Sequence, residues 1–134
     1  MKLKKENHCV HQIGLHLIWC PKYRNKVLLG PIEVELKRII GEVCGHYEWD
    51  IQQLEIMPDH VHLFVQIDPY TTGNEVIRTI KSITAIQIFT LFPQLKQQRF
   101  WGSGLWSKGS YYGGVGQVSE ETIKKYIETQ KEKE

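Results

Sequence analysis

Features that define several classes of small protein are missing from this 134-residue chain. Its three cysteines, Cys9, Cys20 and Cys44, are odd in number and include no Cys-x-x-Cys pair, which argues against a disulfide framework or a zinc knuckle. We therefore expect reduced, mostly buried thiols. No apolar run is long enough to span a membrane. The apolar stretch 13–19 contains polar interruptions and no cleavage site follows it, so we expect a cytoplasmic protein without a membrane partner.

Acidic residues are scarce at the start of the chain. The formal net charge is only +2, yet residues 1–26 hold six basic residues against one acid, Glu6. Such a local basic patch indicates an anionic partner, although the lysines nearest the terminus also fit an exposed, frayed end. An aromatic residue between two cations, as in 22–24, is typical of phosphate and base contacts. The candidate nucleic-acid-binding residues are Lys22, Tyr23, Arg24, Lys26 and, further along, Lys81.

The length predicts a single domain over residues 1–134, because such a chain buries roughly 65–70% of its unfolded surface. Apolar periodicity, helix caps and turn residues then divide the chain into elements. In order, these are a strand from about Val10 to Trp19, a helix from Pro31 to about Tyr47, a strand from about Trp49 to Met57 with a bulge at Gln52-Gln53, a strand from His60 to Ile67, a helix from a cap within Thr71–Asn74 to Pro93, a polar link from Gln94 to Arg99, a short strand within Gly109–Gly116, and a helix from about Glu120 to Gln130.

This order of elements is typical of an α+β fold of the ferredoxin-like type, the split βαβ arrangement that RNA-recognition domains share. It predicts an antiparallel sheet with two helices on one face and an appended C-terminal helix. The other face of the sheet then needs a cover, which the last helix or a second subunit could supply.

The predicted strand from His60 to Ile67 carries the first candidate site. Side chains alternate along a strand, so the aliphatic residues share one face while His60 and His62 share the other. Two imidazoles at this spacing can bind one metal ion. The spacing alone also fits two polar residues on a solvated sheet face, because short motifs often match by chance.

The last predicted helix carries the complementary groups. Ile123, Tyr126, Ile127 and Gln130 share one of its faces. An inward-facing tyrosine with a glutamine at the edge is the ordinary structural explanation. The functional alternative is that the Gln130 carboxamide completes a metal site and the Tyr126 phenol is a nucleophile beside it. Attack on phosphorus would form a covalent ester that preserves the energy of the broken bond.

Several segments together resemble the TnpA family of HUH-type, single-tyrosine transposases, which move insertion sequences as single-stranded DNA. The resemblance follows the order and spacing of the family over nearly the whole chain. The segments are Leu17-Ile-Trp-Cys-Pro-Lys-Tyr-Arg24 with Lys26-Val-Leu28, Asp59-His60-Val-His62, Leu105-Trp106 with Val115-Gly116, and Tyr126-Ile-Glu-Thr-Gln130.

The resemblance implies a metal-dependent DNA strand transferase that needs no ATP. In it, Tyr126 is the nucleophile that forms a 5′-phosphotyrosine bond, and His60, His62 and Gln130 bind Mg²⁺ or Mn²⁺. The donor set by itself would also permit Zn²⁺ or Ni²⁺. The implied partners are single-stranded DNA with hairpins and a second copy of the chain, forming a homodimer whose subunits can share the tyrosine helix.

Two other functions stay open at this stage. A non-catalytic module could bind single-stranded nucleic acid through basic and aromatic residues without metal, although only Phe64 is an aromatic residue on the histidine face. A domesticated relative could process repeated hairpins with the same chemistry. Tyr111 and Tyr112, in a segment richer in glycine than the family's usual pattern, are rival nucleophiles; neither lies one helical turn from an amide that could bind metal.

Overall fold

A computed structural model of the chain describes residues 1–6, 8–114 and 124–129. No helix within these ranges is long and apolar enough to cross a membrane. In chain order the elements are β1 (Lys4–Glu6), β2 (Cys9–His11), β3 (Ile13–Trp19), a 3₁₀ turn (Lys22–Arg24), α1 (Gly30–His46), β4 (Asp50–Met57), β5 (His60–Ile67), α2 (Gly73–Leu91), α3 (Leu95–Phe100), β6 (Tyr111–Gly113) and α4 (124–129).

The main sheet has four antiparallel strands in the order β4-β5-β3-β6. The strand with the two histidines, β5, therefore has a hydrogen-bonded neighbour on each side. Strands β1 and β2 form a separate two-stranded sheet. The predicted α+β fold with an antiparallel sheet and helices is confirmed.

The core lies between one face of the main sheet and helices α1 and α2. Strand β5 contributes its alternate residues Val61, Leu63, Val65 and Ile67, all of which are buried. Apolar residues of β3, α1 and α2 join them in the same cluster. Because the period of a strand is two, His60 and His62 face away from this core.

Several local predictions are confirmed at the residue level. Pro31 lies in the first turn of α1, where its missing N–H breaks no helical hydrogen bond. The side chain of Thr72 caps α2 by accepting a hydrogen bond from the backbone N–H of Glu75 at 3.1 Å. The register between β4 and β5 shifts between Ile51 and Gln53, which is the predicted bulge. None of the three cysteines forms a disulfide. Cys20 and Cys44 are buried, and burial raises the pKa of Cys44 to about 11.

Two predictions about the order of elements are wrong. The strand expected from Val10 to Trp19 is interrupted at Gln12, and its first part pairs with Lys4–Glu6 instead of joining the main sheet. The segment expected to be a polar link is helix α3, which buries Leu95 and Phe100. A single turn and a half of helix shows too few apolar repeats to reveal its period in the sequence.

The C-terminal helix is described only over 124–129. Within that range the prediction of a helix is met. Ile123, Gln130 and the Val115-Gly116 pair lie outside the described residues.

A buried hydrogen bond joins α2 to the segment that follows α3. Trp106 Nε1 donates to Thr84 Oγ1 at 2.9 Å, and that hydroxyl donates to the carbonyl of Ile80 at 2.7 Å. We expect Thr84→Val to lower the free energy of unfolding by about 1–3 kcal/mol, because the indole N–H loses its acceptor in a buried site. Urea denaturation measures the change.

A matched control is Thr90→Val on the same helix. The hydroxyl of Thr90 makes the same kind of backbone bond, to Ile86 at 2.7 Å, but it is exposed. We expect a change within about 0.5 kcal/mol. Equal destabilisation by the two substitutions would contradict the importance of the Trp106 bond.

Candidate functional site

His60 begins β5 directly after the Pro58-Asp59 turn. Its Nδ1 lies 2.9 Å from Asp59 Oδ1, and the other oxygen of that carboxylate lies 3.7 Å from Nε of Arg24 in the 3₁₀ turn. When Nδ1 of His60 donates to the carboxylate, Nε2 keeps its lone pair for a metal ion or a proton. Asp59 therefore sets both the orientation and the tautomer of this imidazole.

His62 is buried, with 7% of its surface exposed, and contacts both neighbouring strands. Its Nε2 lies 3.1 Å from Nδ1 of His16 on β3, and the two rings are stacked. Its Nδ1 lies 4.0 Å from Oε2 of Glu55, the residue opposite it on β4. The ring of His16 stacks in turn on Phe64, with centroids 4.3 Å apart. The histidine face thus holds three imidazoles in place of the predicted two.

The sequence analysis did not select His16 or Glu55. The only signal for His16 is a polar residue between apolar ones in a buried strand. Its contact with His62 depends on how β3 and β5 pair, and this register is invisible in either segment alone.

The surroundings of His62 favour the neutral imidazole. Burial lowers the pKa of His62 below 6.5, and the neighbouring His16 lowers it further. Glu55 opposes this shift, while His60 adds a small contribution in the same direction. At neutral pH His62 therefore carries a lone pair rather than a second proton, which is the form that binds metal.

Helix α4 lies beside His60. Lys124 and Ile127 of α4 line, together with Arg24, Asp59 and His60, a cavity of about 440 Å³. Ile127 is buried, although it is not part of the main core. Helix α4 therefore lies over the end of the histidine face, which is one of the two covers that the sequence left open.

Tyr126 is on this same helix, half-buried, with its hydroxyl oxygen shielded from solvent. Gln130, the predicted metal ligand on the same helix, lies outside the described residues. Among the described residues no group of three or more His, Cys, Asp or Glu side chains could hold a metal ion. Within these ranges, His60 and His62 are the predicted metal ligands that the structure describes.

The basic candidates differ in their surroundings. Lys22, Tyr23 and Arg24 form the 3₁₀ turn, and Arg24 reaches the His60 cavity. Lys26 is exposed. Lys81 is a different case, because its ammonium donates to the carbonyls of Ser107 and Gly109 and to the hydroxyl of Ser110, at 2.7, 3.2 and 2.9 Å. Lys81 thus ties α2 to the segment that leads into β6.

Comparison with known proteins decides the family. The sequence profile described as "Transposase IS200 like" matches residues 9–130. The chain belongs to the IS200-like transposase family. Its relatives include the ISDra2 transposase TnpA of Deinococcus radiodurans, which is 35% identical over 134 residues and covers 100% of this chain and 95% of that protein. The transposase for insertion sequence element IS200 of Salmonella typhimurium is 24% identical over 119 residues, covering 89% of this chain and 77% of that protein.

Solved structures support the assignment of this IS200-like transposase. A candidate transposase from Deinococcus radiodurans R1 superposes with a TM-score of 0.88 at 33% identity, covering 96% of this chain and 98% of the other. A REP-associated tyrosine transposase bound to a REP hairpin has a TM-score of 0.53 at 14% identity, covering 95% of this chain and 68% of the other. This second likeness shows a shared fold. The resemblance to HUH tyrosine transposases that the sequence indicated is confirmed.

The surroundings of His62 predict the pKa that this histidine should show in the metal-free transposase, measured in the presence of a chelator. An NMR titration should place the pKa of His62 below 6.5, and His16→Asn should raise it, because the electrostatic effect of His16, which lowers this pKa, is removed while burial remains. His46→Asn, which alters an exposed histidine at the end of α1, should leave it unchanged.

The same shift affects stability. The unfolded chain takes up this proton at a higher pH than the folded protein, so the free energy of unfolding should fall as the pH drops below about 6.5. Urea denaturation of the wild type and the His16→Asn variant from pH 8 down to pH 5 measures this effect. A His62 pKa at or above 6.5 in the wild type would contradict the prediction.

Proposed function

We propose that this transposase is a metal-dependent strand transferase acting on single-stranded DNA, with Tyr126 as the nucleophile. The observation that carries the proposal is that α4, the helix with Tyr126, lines the same cavity as His60. The helix that carries Tyr126 and the strand that begins with His60 therefore lie at the same end of the sheet. The family membership and the insertion-sequence transposases among its relatives support the same chemistry.

The reaction proceeds by two transfers. Tyr126 Oη loses its proton and attacks phosphorus, the bond from phosphorus to the 3′ oxygen breaks, and that oxygen takes up a proton. The products are a 5′-phosphotyrosine bond and a free 3′-OH. A 3′-OH then attacks the phosphotyrosine, sealing the strand and returning the proton to Tyr126. Because each ester bond replaces another, no ATP is needed.

His60, His62 and Gln130 are proposed to hold a divalent cation, Mg²⁺ or Mn²⁺. His62 is neutral because it is buried, and the hydrogen bond from His60 to Asp59 leaves Nε2 of His60 able to bind metal. The carboxylates of Asp59 and Glu55 add negative charge nearby. Gln130 is the proposed third ligand. When bound, such an ion polarises a nonbridging phosphate oxygen and stabilises the leaving oxygen.

The DNA partner is proposed to be a single strand that folds into hairpins. The REP-associated tyrosine transposase, which has a similar fold, is bound to a REP hairpin in its solved structure. In this chain, Arg24 and Lys124 line the His60 cavity together with the carboxylates of Glu55, Asp59 and Glu128. The two cations are the proposed contacts to backbone phosphates. The single chain already places α4 beside its own His60, so a site shared within a homodimer would require α4 to change places between subunits.

One contact argues against the alternative of a non-catalytic module. Phe64, the aromatic residue of β5 on the histidine face, is only half-exposed, and its ring stacks on His16. It is therefore not presented to a base as the exposed aromatics of an RNA-recognition sheet are.

The nucleophile is tested by trapping the covalent intermediate. End-labelled, hairpin-bearing single-stranded DNA from the ends of the element is incubated with the protein and Mn²⁺ or Mg²⁺, then resolved on a denaturing gel. We expect an adduct that Tyr126→Phe abolishes, since it removes the attacking oxygen, while Tyr111→Phe and Tyr112→Phe retain it. An adduct that survives Tyr126→Phe would refute the assignment, and binding without any wild-type adduct would favour the non-catalytic module.

The metal site is tested through Asp59. We expect Asp59→Asn to weaken Mn²⁺ binding by about 10–100-fold, because the carboxylate that orients His60 is lost. Titration calorimetry or the electron paramagnetic resonance signal of Mn²⁺ measures the affinity. Asp50→Asn is the matched control, since that carboxylate pairs with Lys4 at 2.7 Å at the other end of β4. Equal affinities in the two variants would remove Asp59 from the metal site.

A further inference from the structure

An exposed pair of aromatic side chains lies next to the candidate site. The ring of Tyr23, in the 3₁₀ turn, meets the ring of Trp101, at the end of α3, edge to face with centroids 5.3 Å apart. Trp101 is 72% exposed and Tyr23 is 40% exposed. The other three tryptophans of the chain are all buried. We refer to Tyr23 and Trp101 as the aromatic platform.

The backbone under the aromatic platform is strained. Tyr23, Arg24 and Trp101 have φ angles of 60°, 54° and 49°, in the left-handed region that favours glycine. Trp101 ends α3 at a position where glycine is common. Trp101 therefore has a backbone conformation that is unfavourable for a large side chain, and its apolar ring is exposed to water. Such strain is typical of functional sites.

The two segments that carry the aromatic platform are joined firmly to each other. The Asn25 side chain donates to the carbonyl of Arg99 at 2.6 Å, and the backbone N–H of Lys22 donates to the carbonyl of Leu105 at 2.8 Å. The two rings are thus held on a fixed base, which limits the entropy that a bound ligand would have to remove.

The two chain segments that carry the aromatic platform contain basic residues and no acidic ones. Neither residues 21–29 nor residues 94–110 contain an acid, and together they hold six basic residues. The Nζ of Lys22 lies 5.6 Å from the centre of the Tyr23 ring. Next to Tyr23, Arg24 reaches the cavity that His60 lines. Aromatic faces within basic surroundings match a single nucleic-acid strand, whose bases stack and whose phosphates are anionic.

We propose that the aromatic platform stacks an unpaired base of single-stranded DNA next to the cleaved phosphodiester. The inference rests on the proposed function, because it takes the DNA to be single-stranded near His60. It adds Trp101, which the sequence analysis did not select, and it gives Tyr23 a specific role. Arg24 links the two sites, since it follows Tyr23 and contacts Asp59.

The test compares binding of a labelled oligothymidylate and of a hairpin with a single-stranded flank to the wild type and to three variants. For Trp101→Gly we expect affinity for both to fall about tenfold, because a stacked base is lost. Its melting temperature should stay unchanged or rise, because glycine relieves the left-handed strain. Trp101→Phe should bind within about threefold of the wild type, since a flat ring remains. Tyr70→Ala, which removes a 73% exposed aromatic beyond the other end of β5, should bind like the wild type.

Tryptophan fluorescence supplies an independent readout. Because the other tryptophans are buried, we expect the oligonucleotide to quench the emission of Trp101 and to shield it from acrylamide. The quenching should vanish in Trp101→Phe. Unchanged affinity in Trp101→Gly would contradict the proposal that the aromatic platform stacks a base. Quenching that persists in Trp101→Phe would contradict it too, as would an apolar peptide that binds at Trp101 more tightly than DNA does.

The two proposals can fail separately. If the wild type forms no Tyr126 adduct but Trp101→Gly still weakens binding, the strand-transfer reaction is refuted and the platform stands. If the adduct forms and Trp101→Gly binds as well as the wild type, the platform is refuted and the strand-transfer reaction stands.

Discussion

The antiparallel pairing of β5 with β3 and β4 is the constraint on which the rest of the structure depends. It sends Val61, Leu63 and their alternate neighbours into the core and turns His60 and His62 to the opposite face. A slip of one residue would exchange the two faces, burying imidazoles among aliphatic side chains. The aliphatic residues of β5 therefore determine on which face the two histidines lie. The stability of the core and the geometry of the candidate site depend on the same register.

The face opposite the core is closed at both ends. At one end, α4 lies beside His60. At the other end, the Gln66 side chain donates a hydrogen bond to the carbonyl of Lys2. The Met1 side chain packs on Gly14 of β3, so closely that a Cβ at Gly14 would collide with it. Between these ends the imidazoles are partly or fully removed from water. This desolvation is the main cause of the lowered pKa of His62, so the closure of the face favours the neutral imidazole.

The strand ends and connections nearest His60 carry the features that are proposed to contact DNA. The Pro58-Asp59 turn orients His60, the 3₁₀ turn supplies Arg24, and the end of α3 presents Trp101. Lys81 shows the opposite case, because its ammonium serves the fold by holding the segment 107–110. A basic residue thus identifies a binding surface only once its own acceptors are known.

Local patterns in the sequence were sufficient for the helices α1 and α2, the Thr72 cap, the β4 bulge and the two faces of β5, because each depends on residues a few positions apart. The family resemblance came from motifs of the same local kind. The tertiary structure alone decided that His16 contacts His62, 46 positions away, that Lys4–Glu6 pairs with Cys9–His11, and that Tyr23 meets Trp101. These contacts arise from strand register and loop packing, which join distant segments and leave no periodic signal in either one.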